Sequence, residues 1–260
     1  MQDLQEPLLL READGRGVTT LTLNRPNAFN ALSEELLQAL QQQIDAMAQD
    51  DGLRVLVIAA SGKAFCAGHD LRQMRAQPEL AYYQRLFEQC ARMMMSLQKL
   101  PVPVIAKVQG VATAAGCQLV AQCDLAVAAR DARFAVSGVN LGLFCATPSV
   151  PLTRNLPRKA AFEMLATGDF ISAEQAQSLG LINRVADPEE LDAAVQTLVD
   201  RILDKPQLAL ALGKQLFYRQ LETGMQAAYD DAAQTMACNM MDASALEGVQ
   251  AFLDKRRPNW

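Results

Sequence analysis

Histidine and tryptophan each occur once in the 260 residues, and aromatic side chains make up 5% of the chain. With His69 as the single histidine, and with six cysteines lying far apart and forming no Cys-x-x-Cys pair, the usual zinc ligand sets cannot be assembled. Cys66, Cys90, Cys117, Cys123, Cys145 and Cys238 are therefore expected as reduced core or pocket residues. Neither sign of charge is in large excess. The 24 basic and 29 acidic residues leave a net charge of −5, which gives no general attraction to nucleic acid or to an anionic membrane. Any anionic ligand must be held locally. No apolar run is long enough to span a bilayer. The opening MQDLQEPLLLREADGRG is acidic and turns hydrophilic at once, unlike a secretory signal or an arginine-rich transit peptide. These absences predict a soluble, cytoplasmic protein with no nucleic-acid and no membrane partner. Walker and dinucleotide motifs, internal repeats, low-complexity tracts and a serine elbow that could serve His69 are absent too.

Hydrophobic residues make up 50% of the chain, enough for a large core. The stretch that organises it is VQGVATAAGCQLVAQCD at 108–124. The β-branched run PVPVIAKV at 101–108 reads as a strand, and Ala114, Ala115 and Gly116 leave the backbone almost bare where a helix begins. The first amides of a helix have no internal partner and lie at the positive end of its dipole, so they can hold an oxyanion. Small residues also let a helix pack tightly on a sheet, and the sequence leaves both readings open.

Residues 7–24 read as a hairpin, and Ser33 with Glu34 and Glu35 marks a helix start. LRVLVIAA at 53–60 is a core strand running into the glycine-bearing turn SGKAFCAGHDL, and 78–99 is a methionine-rich helix. Short strands are expected at 125–129, 133–136 and 182–185, with SGVNLGLFCATPS between them as a loop that walls a pocket. Helices follow at 158–168 and from Ser172, whose spacing to Gln175 is that of a capping box; Ser244 and Glu247 repeat the pattern in a helical tail. The expected division is a core over 1–200 and a helical region involved in oligomerisation over 201–260.

SGKAFCAGHDL, GVATAAGCQLVAQCD, the segment from Phe134 to Pro148, TGDFISAEQAQSLGLINRV and EGVQAFLDKRRPNW together resemble the enoyl-CoA hydratase/isomerase (crotonase) family, in order and over nearly the whole chain. ATAAGCQLVA, GVNLGLFCATP and KRRPNW carry a closer likeness to one group within it. The resemblance implies an α/β fold, a crotonase-like spiral of ββα units with a helical C-terminal trimerisation region, assembled as a homotrimer or homohexamer. It implies an acyl-CoA substrate whose coenzyme A is part of the substrate, with no further cofactor. By the resemblance the thioester carbonyl is polarised by the amides of Ala67 and Ala115, with Gly116 as the alternative one residue on. Gly68 and Asp70 belong to the turn that contacts coenzyme A, Arg25 and Lys63 are candidates for its phosphates, and Phe252 and Lys255 match tail positions that approach the adenine from a neighbouring subunit.

The departures from the family are as informative. Family hydratases use two glutamates to activate water and protonate the α-carbon, and here those positions hold Gln118 and Gly138. Gln118 can hold a water but cannot take its proton, and Gly138 has no side chain. Ordinary hydratase activity is thus not expected. The remaining readings are an enzyme acting through a thioester enolate, either a weak or noncanonical hydratase/isomerase or a decarboxylase using His69, or acyl-CoA binding without turnover. Asn140, Thr113 and Thr147 are candidate acyl-pocket residues. Cys145 is a thiol in the pocket loop with nothing in the sequence to lower its pKa. Asp124 and Glu163 read as structural.

Overall fold

The computed structural model describes residues 6–260. Residues 1–5, part of the segment on which the targeting expectation rests, lie outside the described residues. The chain opens on an antiparallel hairpin of β1 (Leu9–Ala13) and β2 (Val18–Leu23), with Leu9 opposite Leu23. Its turn needs Gly17, whose φ is +85° and where a side chain would strike the Gly52 carbonyl. Helix α1 (Glu34–Met47) is capped by the Ser33 side chain, which accepts from the Leu36 amide. Leu36, Leu37, Leu40, Ile44 and Met47 form its buried face.

A repeated strand–strand–helix pattern then builds the core. The first unit is β3 (Val55–Ala60) and β4 (Ala64–Cys66), followed by the short α2 (Leu71–Ala76) and the long α3 (Leu80–Lys99). The second is β5 (Val104–Val108), β6 (Val111–Thr113) and α4 (Ala115–Gln122); the third is β7 (Leu125–Ala129), β8 (Arg133–Ala135) and α5 (Ala146–Asn155). Then come α6 (Arg158–Thr167), β9 (Ile171–Ser172), α7 (Ala173–Leu179), β10 (Arg184–Ala186) and α8 (Leu191–Leu203). The first strand of each unit enters a six-stranded sheet ordered β1-β2-β3-β5-β7-β10, and the second enters a four-stranded sheet ordered β4-β6-β8-β9. Apart from the β1 and β9 pairings the neighbours run parallel.

The run VLVIAA is apolar without alternation because both faces of its sheet are covered. Val55 and Val57 face α8 with Ile105, Val127, Val195 and Val199, while Leu56 and Ile58 face the main core with Val104, Ala106, Leu40 and Met93. Helices α9 (Gln207–Leu221), α10 (Met225–Met240) and α11 (Ala243–Leu253) complete the chain. Lys214 of α9, a residue 9% exposed, anchors them: its ammonium bonds the carbonyls of Leu97 and Val102 and lies 2.6 Å from the Asp124 carboxylate. The chain end folds back on α11, where Arg256 and the Asn259 amide both bond Glu247. No described helix is long and apolar enough to cross a membrane.

Three expectations are corrected. The loop over 137–149 contains a short helical turn at Ser137–Leu141 and the start of α5, which the sequence hides behind Pro148 and Pro151. Pro148 stands in the first turn, where no amide is needed, and only Pro151 is inside the helix. The cap of α11 is Asp242, whose carboxylate accepts from the Ser244 amide, because Glu247 is held by Arg256 instead. The strand expected from 101 begins only at Val104, after Pro101 and Pro103.

Candidate active site

The organising corner lies where β6 gives way to α4. The Ala114 amide donates to the Ala135 carbonyl at 3.0 Å, and Ala114 itself adopts φ 50° and ψ −121°, a backbone region alanine rarely enters. That turn starts the helix at Ala115, whose amide donates to no acceptor among the described residues. Close packing is present as well. A Cβ on Gly116 would lie 2.1 Å from the Cys66 carbonyl oxygen, so α4 sits directly on β4. Gly68, at φ +95°, comes equally near: a Cβ there would be 2.9 Å from the Ala114 Cβ and 3.3 Å from the Ala115 nitrogen. The packing thus brings the Cys66–Asp70 turn against the free amide of the helix.

Within that turn the amides are used differently from the expectation. The Ala67 amide, expected as an oxyanion donor, donates to the Phe29 carbonyl at 3.0 Å. Leu32 then donates to Gly68 and accepts from Asp70, forming a parallel bridge opposite His69. In such a bridge the amide of the bridging residue points away from its partner strand. The His69 amide accordingly faces away from Leu32 and has no acceptor among the described residues. Asn30, fully buried, holds the loop behind the turn through bonds to the carbonyls of Ser61 and Ala64 and to the Arg25 amide.

The His69 ring meets Phe87 edge-on at 5.4 Å, and neither ring nitrogen has a hydrogen-bond partner among the described residues. Burial lowers its pKa to about 4, against the opposing pull of the Leu32 carbonyl, so the imidazole is neutral at pH 7. In the unfolded chain the ring protonates near 6.5. The unfolded state therefore binds more protons between these values, and the contribution to stability is full above about pH 6.5 and lost as pH falls toward 4, by roughly 3 kcal/mol. Urea unfolding at pH 7 and pH 5 checks this: the wild type is expected to lose more stability than His69→Gln over that interval.

Arg25 and Asp70 form a pair at 2.9 Å, and Arg25 also donates to the Ala31 carbonyl. Burial would raise the Asp70 carboxyl, but Arg25 and the amides of Gln73 and Arg72 outweigh it and hold the pKa below its ordinary value. Asp70 is thus the cap of α2, and Arg25, expected near a phosphate, is committed to it. Lys63 is exposed, with its ammonium 5.3 Å from the centre of the Phe29 ring.

The other side of the corner carries the two altered positions. Gln118, one turn into α4, is 4% exposed and its Oε1 has no partner among the described residues. Thr113, just before α4, pairs with Ala135 and bonds Ser137, the residue before Gly138, at 2.8 Å. The Gly138 amide donates to the Cys145 Sγ at 3.3 Å, and a Cβ on Gly138 would fall 2.4 Å from the Leu143 carbonyl oxygen and 2.7 Å from that sulfur. A glutamate has no room there. Gly138→Glu is expected to destabilise the fold by about 1–3 kcal/mol through overpacking, read as a lowered denaturation midpoint. Cys145 is buried, and burial raises its pKa despite the Gly138 amide, so it is an unreactive thiol. Asn140 reaches the Gly168 carbonyl at 3.4 Å. Phe252, 83% exposed, lies on α11, and Lys255 lies just beyond its end.

A spiral of ββα units feeding a six-stranded and a four-stranded sheet, closed by C-terminal helices, defines a crotonase-type fold. A model of the enoyl-CoA hydratase/isomerase family matches residues 13–260, and the chain belongs to that family. It is 44% identical over 244 residues to the mitochondrial enoyl-CoA hydratase domain-containing protein 3 of Xenopus laevis, covering 94% of this chain and 83% of the relative. The crystal structure of human enoyl Coenzyme A hydratase domain-containing protein 3 is 40% identical with a TM-score of 0.94, covering 98% of this chain and 100% of that one. An enoyl-CoA hydratase structure from Mycobacterium smegmatis is 64% identical with a TM-score of 0.97, covering 98% of this chain and 99% of that one.

Proposed function

We propose that the protein binds an acyl-CoA thioester and stabilises its enolate between two backbone amides, those of His69 and Ala115. The observation that carries this reading is the pair of unpartnered amides brought together by Gly68. His69 takes the place first given to Ala67, whose amide is occupied by Phe29. Negative charge grows on the thioester oxygen as the enolate forms, and fixed donors stabilise it without reorganising. Coenzyme A enters as part of the substrate, its chain lying along the turn at Gly68 and its phosphates within reach of Lys63. Phe252 and Lys255 serve the adenine end of a neighbouring copy in a trimer or a dimer of trimers. Support for assembly comes from exposed Tyr229, Met236, Leu246 and Phe252 on α10 and α11. The location in this reading is cytoplasmic, whereas the Xenopus relative is named as mitochondrial.

Ordinary hydration stays outside the reading, since neither Gln118 nor Gly138 can carry a proton. The neutral, unpartnered imidazole of His69 favours decarboxylation of a malonyl-type thioester as the second reading. The deciding assay incubates the protein with crotonyl-CoA in deuterated water and analyses the thioesters by mass spectrometry. No hydroxyacyl product above a denatured-protein control is expected. Hydration above that control would overturn the reading. Malonyl-CoA in the same assay separates decarboxylation, seen as a deuterated acetyl product, from binding without turnover.

A further inference from the structure

Two residues of the loop before α1 are held in a costly conformation. Phe29 and Asn30 take positive φ in succession, at 49° and 53°, which residues with a side chain keep only where their surroundings fix it. Asn30 does the fixing. It is wholly buried, its Oδ1 accepts from the Arg25 amide at 2.8 Å, and its Nδ2 donates to the carbonyls of Ser61 at 2.9 Å and Ala64 at 2.8 Å. Both Nδ2 hydrogens are thereby used. Ser61 follows β3 and Ala64 opens β4, so one side chain clamps the loop to both flanks of that connection.

The clamped loop holds the turn after β4 by main-chain bonds alone. Phe29 accepts from Ala67 at 3.0 Å, Leu32 donates to Gly68 at 2.8 Å, and Leu32 accepts from Asp70 at 3.2 Å. These bonds flank the His69 amide on both sides, and with Leu32 bridged to His69 they set the direction in which that amide points. Asn30 stands in the chain between the two residues that make them. The Ala115 amide is placed by other means, because Ala114 donates to Ala135 and α4 rests on Cys66 at Gly116. Loss of the clamp would disturb one donor of the pair and spare the other.

We infer that Asn30 is a positioning residue for the oxyanion-holding pair, its side chain fixing the direction of the His69 amide through Phe29 and Leu32. The inference rests on the acyl-CoA reading of the site. Asn30→Gly tests it, because glycine accepts the positive φ and removes only the clamp. The readout is the infrared band of bound butanoyl-CoA, isotope-labelled at its thioester carbonyl. Binding to the wild type is expected to move the band to lower frequency. In the folded variant that displacement is expected to fall to about half or less, since one amide remains in place. Asn30→Asp, which keeps the bond from the Arg25 amide and loses the other two, serves if the glycine variant does not fold. A clamp that only stabilises the fold would lower the denaturation midpoint and leave the bound carbonyl at its wild-type frequency. That result overturns the inference while leaving the acyl-CoA reading in place. A wild-type protein that does not bind butanoyl-CoA, or binds it without moving the band, overturns both.

Discussion

Asp124→Ala is expected to cost about 3–5 kcal/mol of unfolding stability, the largest loss of any substitution considered for this chain. The carboxylate accepts from the Val104 amide at 2.7 Å, the Lys214 ammonium at 2.6 Å and the Tyr218 hydroxyl at 2.7 Å. Burial lowers the Lys214 pKa and Asp124 offsets it, so the cation depends on its partner. Burial and the same carboxylate raise the Tyr218 pKa. Without Asp124 a buried cation loses its counter-charge, the first amide of β5 loses its acceptor, and α9 loses its tie to the core. Lys214→Met removes the cation too, so the double variant is expected to be less destabilised than the sum of the two single ones. Urea denaturation of the four proteins measures that coupling.

Ala115→Pro is expected to lower enolate-dependent turnover, read as decarboxylation of malonyl-CoA, by about 10²–10³-fold. Proline at the first position of α4 removes one N–H that has no internal partner, while its ring has to be accommodated after Ala114, whose φ of 50° and ψ of −121° lie outside the region favoured before proline. In variant protein whose circular dichroism and denaturation midpoint show it folded, kcat is expected to fall far more than KM rises, since the lost bond strengthens only as charge develops. An unchanged kcat would show that Ala115 donates to nothing during the reaction.

The choice between Ala67 and His69 shows where the sequence stopped being readable. In a regular extended segment the amides of residues two apart point the same way, so either could be the donor. Gly68, at φ +95°, breaks that regularity. It turns Ala67 toward Phe29 and leaves the His69 amide facing away from Leu32. The letters show a glycine but not the sign of its φ. Elements with long patterns or local chemistry were legible: the alternation of β2, the apolar face of α3 and the reciprocal Ser172–Gln175 cap all follow from residue spacing. The three-residue strands β4, β6 and β8 carry too little pattern to define a second sheet, and it is that sheet which sets Ser137 beside Thr113. The tightness at Gly138 was hidden for another reason. Its limiting neighbour is the Leu143 carbonyl, a main-chain atom that no side-chain pattern reveals.

The central claim is that two main-chain amides polarise a thioester carbonyl, and isotope-edited infrared spectroscopy of bound butanoyl-CoA labelled at that carbonyl tests it without needing turnover. The account predicts a shift of the carbonyl band to lower frequency on binding, kept in His69→Ala, where the amide remains, and largely lost in Ala115→Pro. A bound carbonyl that absorbs at the frequency of free butanoyl-CoA would contradict it.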